Sequence, residues 1–227
     1  MKSLWLTFLI LSSSSVMSQQ RFENWTKISA VKSISKQLTT AVDVQFRTQS
    51  DYPHNAHNPF EKIRTESIRI WLNWQSQLGT EILLSPLAYF ITKDYNSTQQ
   101  EWLNTYETRQ SLGLQHSFKY GQSSLRIRSL MELRIINHRA PAYRSRTLIQ
   151  FKYPLLKIKH TEVGVLLSDE YFYQLFHSQM DNNRMFTGIT LQSVKRQFLT
   201  GFQWQSIGPF RSGIQVCQIS STLNFNF

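Results

Sequence analysis

The chain has 227 residues, 41% hydrophobic and 13% aromatic, which excludes a disordered polymer and supports one large domain as readily as two small ones. Twenty-five basic against 14 acidic residues give a formal charge of +11, so either its partners are anionic or its interior is basic. A single cysteine, Cys217, excludes an internal disulfide framework and a cysteine-built metal site.

Residues 1–18 read as a secretory signal. Lys2 is the positive start, Leu4 to Leu11 the apolar stretch, and Val16-Met17-Ser18 the small-residue cleavage site before Gln19. No cysteine follows that stretch, which argues against a lipid-anchored mature N-terminus. No later run approaches the roughly 20 apolar residues that a membrane-spanning helix needs. Export makes nucleic acid the least suited anionic partner. Anionic lipid or lipopolysaccharide headgroups, a small anionic solute, or acids within the protein itself are left to meet the positive charge.

From residue 22 onward the chain alternates with a period of two, which places apolar and polar side chains on opposite faces of a strand. Strands are predicted near 22–31, 37–48, 62–76, 79–92, 106–119, 122–137, 142–153, 158–168, 182–193, 196–206 and 213–227. In the third, Ile68, Ile70, Leu72 and Trp74 alternate with Arg69, Trp71 and Asn73. In the sixth, LRIRSLMELRII, Leu125, Ile127, Met131, Leu133 and Ile135 share one face, and Arg126, Arg128, Glu132 and Arg134 share the other. On a helix the arginines would scatter.

Most of these strands are long enough to cross a bilayer, which takes about 9 to 11 tilted residues. The links alternate too: short at 32–36, 77–79, 120–122, 154–157 and 193–196, long and polar at 49–62, 93–104 and 169–181. Short turns at one end and long loops at the other belong to outer-membrane barrels. Arginine crowds the polar face, at Arg69, Arg126, Arg128, Arg134, Arg144, Arg146 and Arg184, with Asp43, Glu66, Glu132 and Glu162 interspersed. Planar guanidinium forks suit a confined polar lumen better than an open solvated face. The chain closes STLNFNF, with Leu223, Phe225 and Phe227 on one parity, as terminal strands of such barrels do. Trp25, Trp74, Tyr89, Tyr143, Tyr153, Trp204 and Phe227 are the expected interfacial girdles. Residues 19–227 are therefore expected to form one all-β domain, an antiparallel up-and-down transmembrane β-barrel with a charged lumen. Eleven strands are counted where an even number, ten or twelve, is expected. Either 22–31 is not a wall strand, or another lies near Tyr171 to Phe176.

The runs R-I-R-S-L-M-E-L-R (Arg126 to Arg134), R-S-R (Arg144 to Arg146) and D-N-N-R (Asp181 to Arg184), with the early Trp25 and the closing N-F-N-F, resemble an uncharacterised family of exported bacterial proteins. That family carries a domain-of-unknown-function label and is expected to form outer-membrane β-barrels. The resemblance covers about residues 21–227. It implies the fold and the location, and carries no activity, substrate or catalytic residue.

The candidate site is the lumen charge cluster of Arg69, Arg126, Arg128, Glu132, Arg134, Arg144, Arg146, Glu162 and Arg184. It either binds or passes a small anionic solute, or pairs internally with Glu132, Glu66 and Asp43 to fill the lumen, which is the favoured reading. Outer-membrane lipid would surround the wall, and the strand ending at Phe227 would be read by the barrel-assembly machinery. Two other readings stand beside this one. In a barrel enzyme acting on lipid or lipopolysaccharide, His54, His57 and His177 would be the candidates. In a soluble exported β-sandwich, the basic face would bind an acidic polymer. No catalytic, cofactor or metal motif is present in the sequence, and Cys217 shares parity with Ile219, Leu223 and Phe225 as a wall residue.

Overall fold

The computed structural model describes residues 20–50, 58–76, 79–96, 101–137, 139–176, 179–208 and 214–227. The signal segment, His54, His57 and His177 lie outside the described residues. Eleven strands follow one another: β1 (Gln20–Ser33), β2 (Leu38–Gln49), β3 (Lys62–Gln75), β4 (Thr80–Asn96), β5 (Glu101–Tyr120), β6 (Ser123–Ile136), β7 (Ala142–Ile158), β8 (Thr161–Gln174), β9 (Gln179–Gln192), β10 (Arg196–Ile207) and β11 (Ile214–Asn226). Each pairs antiparallel with the next, and β1 pairs with β11 to close the ring.

That closing pair is parallel, in register from Gln20 opposite Gln215 to Val31 opposite Asn226. A parallel seam is what lets an odd number of strands close, and it corrects the expectation of ten or twelve. Residues 22–31 are a full wall strand, and Tyr171 to Gln174 extend β8 rather than starting another. The seam also sets the chain ends apart. The start of β1 lies at the end carrying the 50–61 link, and the end of β11 lies among the short turns, where the Phe227 N–H donates to Val31 O at 2.9 Å.

Strand length fits a bilayer crossing with residues to spare, at 17 in β4, 20 in β5 and 17 in β7. Extra length comes from the links. Residues 93–96 and 101–104 continue the β4–β5 hairpin, and Asp169 to Gln174 lie inside β8, so two of the three links expected to be long are largely taken into strands. At the opposite end Gly121 (φ 57°) and Lys159 (φ 52°) take the left-handed conformation that tight hairpins require.

The burial pattern is the reverse of a water-soluble β protein. Ile68, Leu112, Leu114, Met131, Ile149, Leu167, Ile189 and Phe202 are exposed on the outer face, while Glu23, Glu107, Glu132, Arg144 and Glu170 are buried within. Leu125, Ile127, Met131 and Ile135 are among the exposed residues, and Arg128, Glu132 and Arg134 enter the lumen, as the alternation of β6 requires. Trp74, Tyr89, Tyr143 and Tyr153 are exposed on the outer face. Trp25 is not one of the outer aromatics. It lies inside with Arg47 over its ring at 3.4 Å, because β1 runs Glu23, Trp25, Lys27 and Ser29 along its inner parity.

Two strand irregularities place side chains. The pairing of β2 with β3 shifts between Arg47 and Thr48, which turns Arg64 inward onto Glu23. The β4 ladders to β3 and β5 both shift around Pro86, which has no N–H to contribute. On the inner wall Gly188 of β9 sits opposite Gly201 of β10, and the Phe186 ring lies against both. A Cβ at either glycine would collide with the facing backbone and with that ring. Gly188→Val is therefore expected to destabilise the barrel by about 1 to 3 kcal/mol. It should appear as a smaller fraction of compact, heat-modifiable protein in unboiled electrophoresis, whereas Ile189→Val on the outer face should leave that fraction unchanged.

Candidate functional site

Three buried carboxylates organise the lumen. Glu132 of β6, 1% exposed, accepts from Arg144 Nη2 at 2.7 Å and Arg146 Nη1 at 2.8 Å, both of β7, and from Arg69 Nη2 of β3 at 3.3 Å. Glu170 of β8 accepts from Arg146 Nη2 at 2.7 Å and Arg128 Nη2 at 3.0 Å, and Arg184 of β9 approaches it at 3.8 Å. Glu107 of β5 accepts from Arg109 Nε at 2.7 Å and Arg134 Nε at 2.5 Å. Arg146 of β7 bridges two of these centres and ties β6 to β8 across its own strand, while Arg69 reaches Glu132 from β3 across the lumen.

Aromatic rings support the guanidinium faces that the carboxylates leave open. Phe172, 1% exposed, lies under Arg144, Arg146 and Arg184 at 4.7, 4.8 and 4.5 Å. Phe90 lies under Arg109 at 3.9 Å. Arg47 and Arg184 both stack on Trp25. A guanidinium stacked on a ring keeps its donors in its own plane, free to meet carboxylate edges. Close to the seam a second polar group forms from Glu23, Arg64, Gln203, Gln205 and Gln218, in which Gln218 donates to Glu23 at 2.7 Å and to Gln205 at 3.3 Å.

The expected cluster is thus largely brought together. Arg69, Arg144 and Arg146 meet Glu132, Arg128, Arg146 and Arg184 meet or approach Glu170, and Arg134 meets Glu107, so of the three acids expected to pair with the arginines only Glu132 does. Glu162 does not join. It pairs with Lys152 at 2.7 Å near the short-turn end and is 40% exposed. Arg126 faces the lumen but is exposed, with no ion pair among the described residues. Glu66 falls on the outer parity, opposite Phe46 and Ile91, so it fills no part of the lumen. Asp43 takes its contacts from Ser29 at 2.5 Å, Trp71 Nε1 at 3.1 Å and Lys27 at 3.9 Å rather than from the arginines.

Sequence reading missed Glu107, Arg109, Glu170, Phe172 and Phe90. Glu170 was read as part of a polar loop because Asp169, Glu170 and several aromatics run together, yet Glu170 and Phe172 share one parity and Tyr171 and Tyr173 the other.

Toward the short turns this network leaves a cavity of about 360 Å³. Its wall carries eight lysine and arginine side chains against two carboxylates, Asp43 and Glu170. Glu132, Arg134, Arg144 and Glu107 do not line it, and sit nearer the opposite ends of their strands as a set of ion pairs. Among the described residues no group of histidine, cysteine or carboxylate side chains has the arrangement of a metal site.

A family of proteins of unknown function, DUF2490, matches residues 22–207, the span of β1 to β10. The chain belongs to the DUF2490 family. No curated protein matches this DUF2490 chain in sequence. Among solved structures, LpxR from Salmonella typhimurium is similar with a TM-score of 0.54 over 88% of this chain and 87% of that one, at 9% identity. The β domain of the Bordetella autotransporter BrkA gives 0.48 over 74% and 75% of the two chains, at 9% identity. An anion-selective porin from Comamonas acidovorans gives 0.35 over 83% and 55%, at 10% identity. What this DUF2490 chain shares with LpxR is the fold, a closed barrel like those of outer-membrane proteins.

Glu132 is the centre whose loss leaves most charge stranded. Glu132→Gln keeps the shape and removes the charge facing Arg69, Arg144 and Arg146, so about 3 to 5 kcal/mol of stability should be lost. Glu162→Gln, at a half-exposed pair, should cost no more than about 1 kcal/mol. Urea unfolding of the two variants in lipid vesicles, followed by tryptophan fluorescence, measures the difference.

Proposed function

We propose that this protein is an outer-membrane barrel whose lumen is closed to free diffusion, and which takes a small anionic solute into the arginine-rich vestibule from its short-turn end. The observation that carries this reading is the charge imbalance of the vestibule beneath a closed layer, eight cationic side chains against two carboxylates. The ion pairs around Glu132 and Glu107 link β3, β5, β6 and β7 across part of the lumen, which suits closure. The cationic side chains that line the vestibule outnumber its carboxylates, which suits an anion-binding pocket entered from the short-turn side.

Location in the outer membrane is supported by the exposed apolar belt, by strands long enough to cross, and by the likeness in fold. Outer-membrane lipid is then the surrounding solvent. The C-terminal strand ending at Phe227 is the segment the assembly machinery would read. The short-turn end would face the periplasm and the 50–61 link the cell exterior. The first residues of β1, set at the same end as that link, would then be displayed outside as well.

Two measurements check this reading. In planar bilayers in potassium chloride the purified protein is expected to show no steady open channel, and persistent stepwise conductance would overturn closure. In intact cells a tag placed before Gln20 is expected to be reached by antibody without permeabilising the outer membrane; detection only after permeabilisation would reverse the orientation.

A further inference from the structure

We infer that the vestibule recognises a multivalent oxyanion of the phosphate class, carrying at least two negative charges, rather than a univalent anion. This inference rests on the proposed anion-binding role and makes it specific.

The first ground is number. Among the described residues, four guanidiniums that line the cavity, Arg69, Arg128, Arg146 and Arg184, share the two carboxylates Glu132 and Glu170. Arg69 and Arg146 reach the same oxygen of Glu132, and Arg128 and Arg146 the same oxygen of Glu170, so like charges stand side by side. In a confined site such neighbours repel unless an anion joins them. A univalent ion would offset a small part of that excess, and a di- or trianion considerably more.

The second ground is geometry. The buried Nε–H groups of Arg69, Arg146 and Arg184 have no acceptor among the described residues, and all three side chains line the cavity. Arg184 meets Glu170 only at 3.8 Å, beyond hydrogen-bond range, and is held in place by Trp25 and Phe172. Arg126 completes the set near the opening, exposed and without an ion pair among the described residues. Several fixed forks around one small volume suit a tetrahedral oxyanion, whose oxygens accept from more than one guanidinium at once. Ser220, Thr222 and Asn224 on the same wall add neutral polar groups.

Phosphate charge of this kind is found on soluble phosphate compounds and on lipid headgroups alike. A vestibule opening into the lumen favours the soluble source.

Isothermal titration of the purified barrel in zwitterionic micelles, at constant ionic strength, tests this with pyrophosphate, acetate and a short-chain phosphatidic acid. Pyrophosphate is expected to bind at least tenfold more tightly than acetate. Arg126→Gln, which removes no partner from any carboxylate, should weaken pyrophosphate at least threefold while leaving the urea midpoint unchanged. Equal binding of acetate and pyrophosphate would overturn the multivalent preference and leave the anion-binding role standing. No binding of any of the three would overturn both, and unchanged affinity in Arg126→Gln would overturn the placement in the vestibule. Tighter binding of the phosphatidic acid than of pyrophosphate would keep the phosphate chemistry and overturn its assignment to a soluble source.

Discussion

A carboxylate taken out of water into the middle of a barrel is stable only if cations come with it. Glu132 is in that position, and the three guanidiniums around it come from β3 and β7, on either side of its own strand. Those arginines in turn meet rings and a further acid, which Phe172, Phe90 and Glu170 supply. The lumen is therefore organised from its centre outward, by charges that cannot be left alone. Large apolar side chains lie instead on the outer face, as suits the proposed lipid surroundings.

The same requirement accounts for the uneven distribution of acids along the lumen, on which the proposed closed layer and vestibule rest. Acids are concentrated toward the 50–61 end, where Glu23, Glu107 and Glu132 each hold arginine close. Toward the short turns arginine continues while acids become scarce, and space opens. The parallel seam between β1 and β11 lies beside the closed layer and is stitched by Gln203, Gln205, Gln218 and Glu23 across it. Neutral amides there add contacts without adding to the positive excess.

Much of this could be read before the structure. The wall strands, the two faces of β6 and the inward arginines follow from a period of two that hardly falters between Phe22 and Phe227. Three features were out of reach for physical reasons. Strand parity says nothing about which strands meet last, so the parallel seam that lets the eleven counted strands close was hidden. Bulges break parity locally, which sends Arg64 inward although Ile68 and Ile70, of the same parity, point out. An acid beside aromatics, such as Glu170 beside Tyr171 and Phe172, has the composition of a loop until its partners across the lumen are known. Trp25 and Glu66 were misplaced because residue type was weighed above parity, and parity was the better guide for both.

The account stands on buried charges holding the lumen closed, and a double-mutant cycle between Arg146 and Glu132 tests it most directly. Arg146→Met, Glu132→Gln and the double variant would be unfolded by urea in lipid vesicles. Strong coupling is expected, about 2 to 3 kcal/mol, because each single variant strands the partner's buried charge. A coupling near zero would mean that the two side chains meet without stabilising one another, and that something other than the arginine–glutamate network closes the barrel.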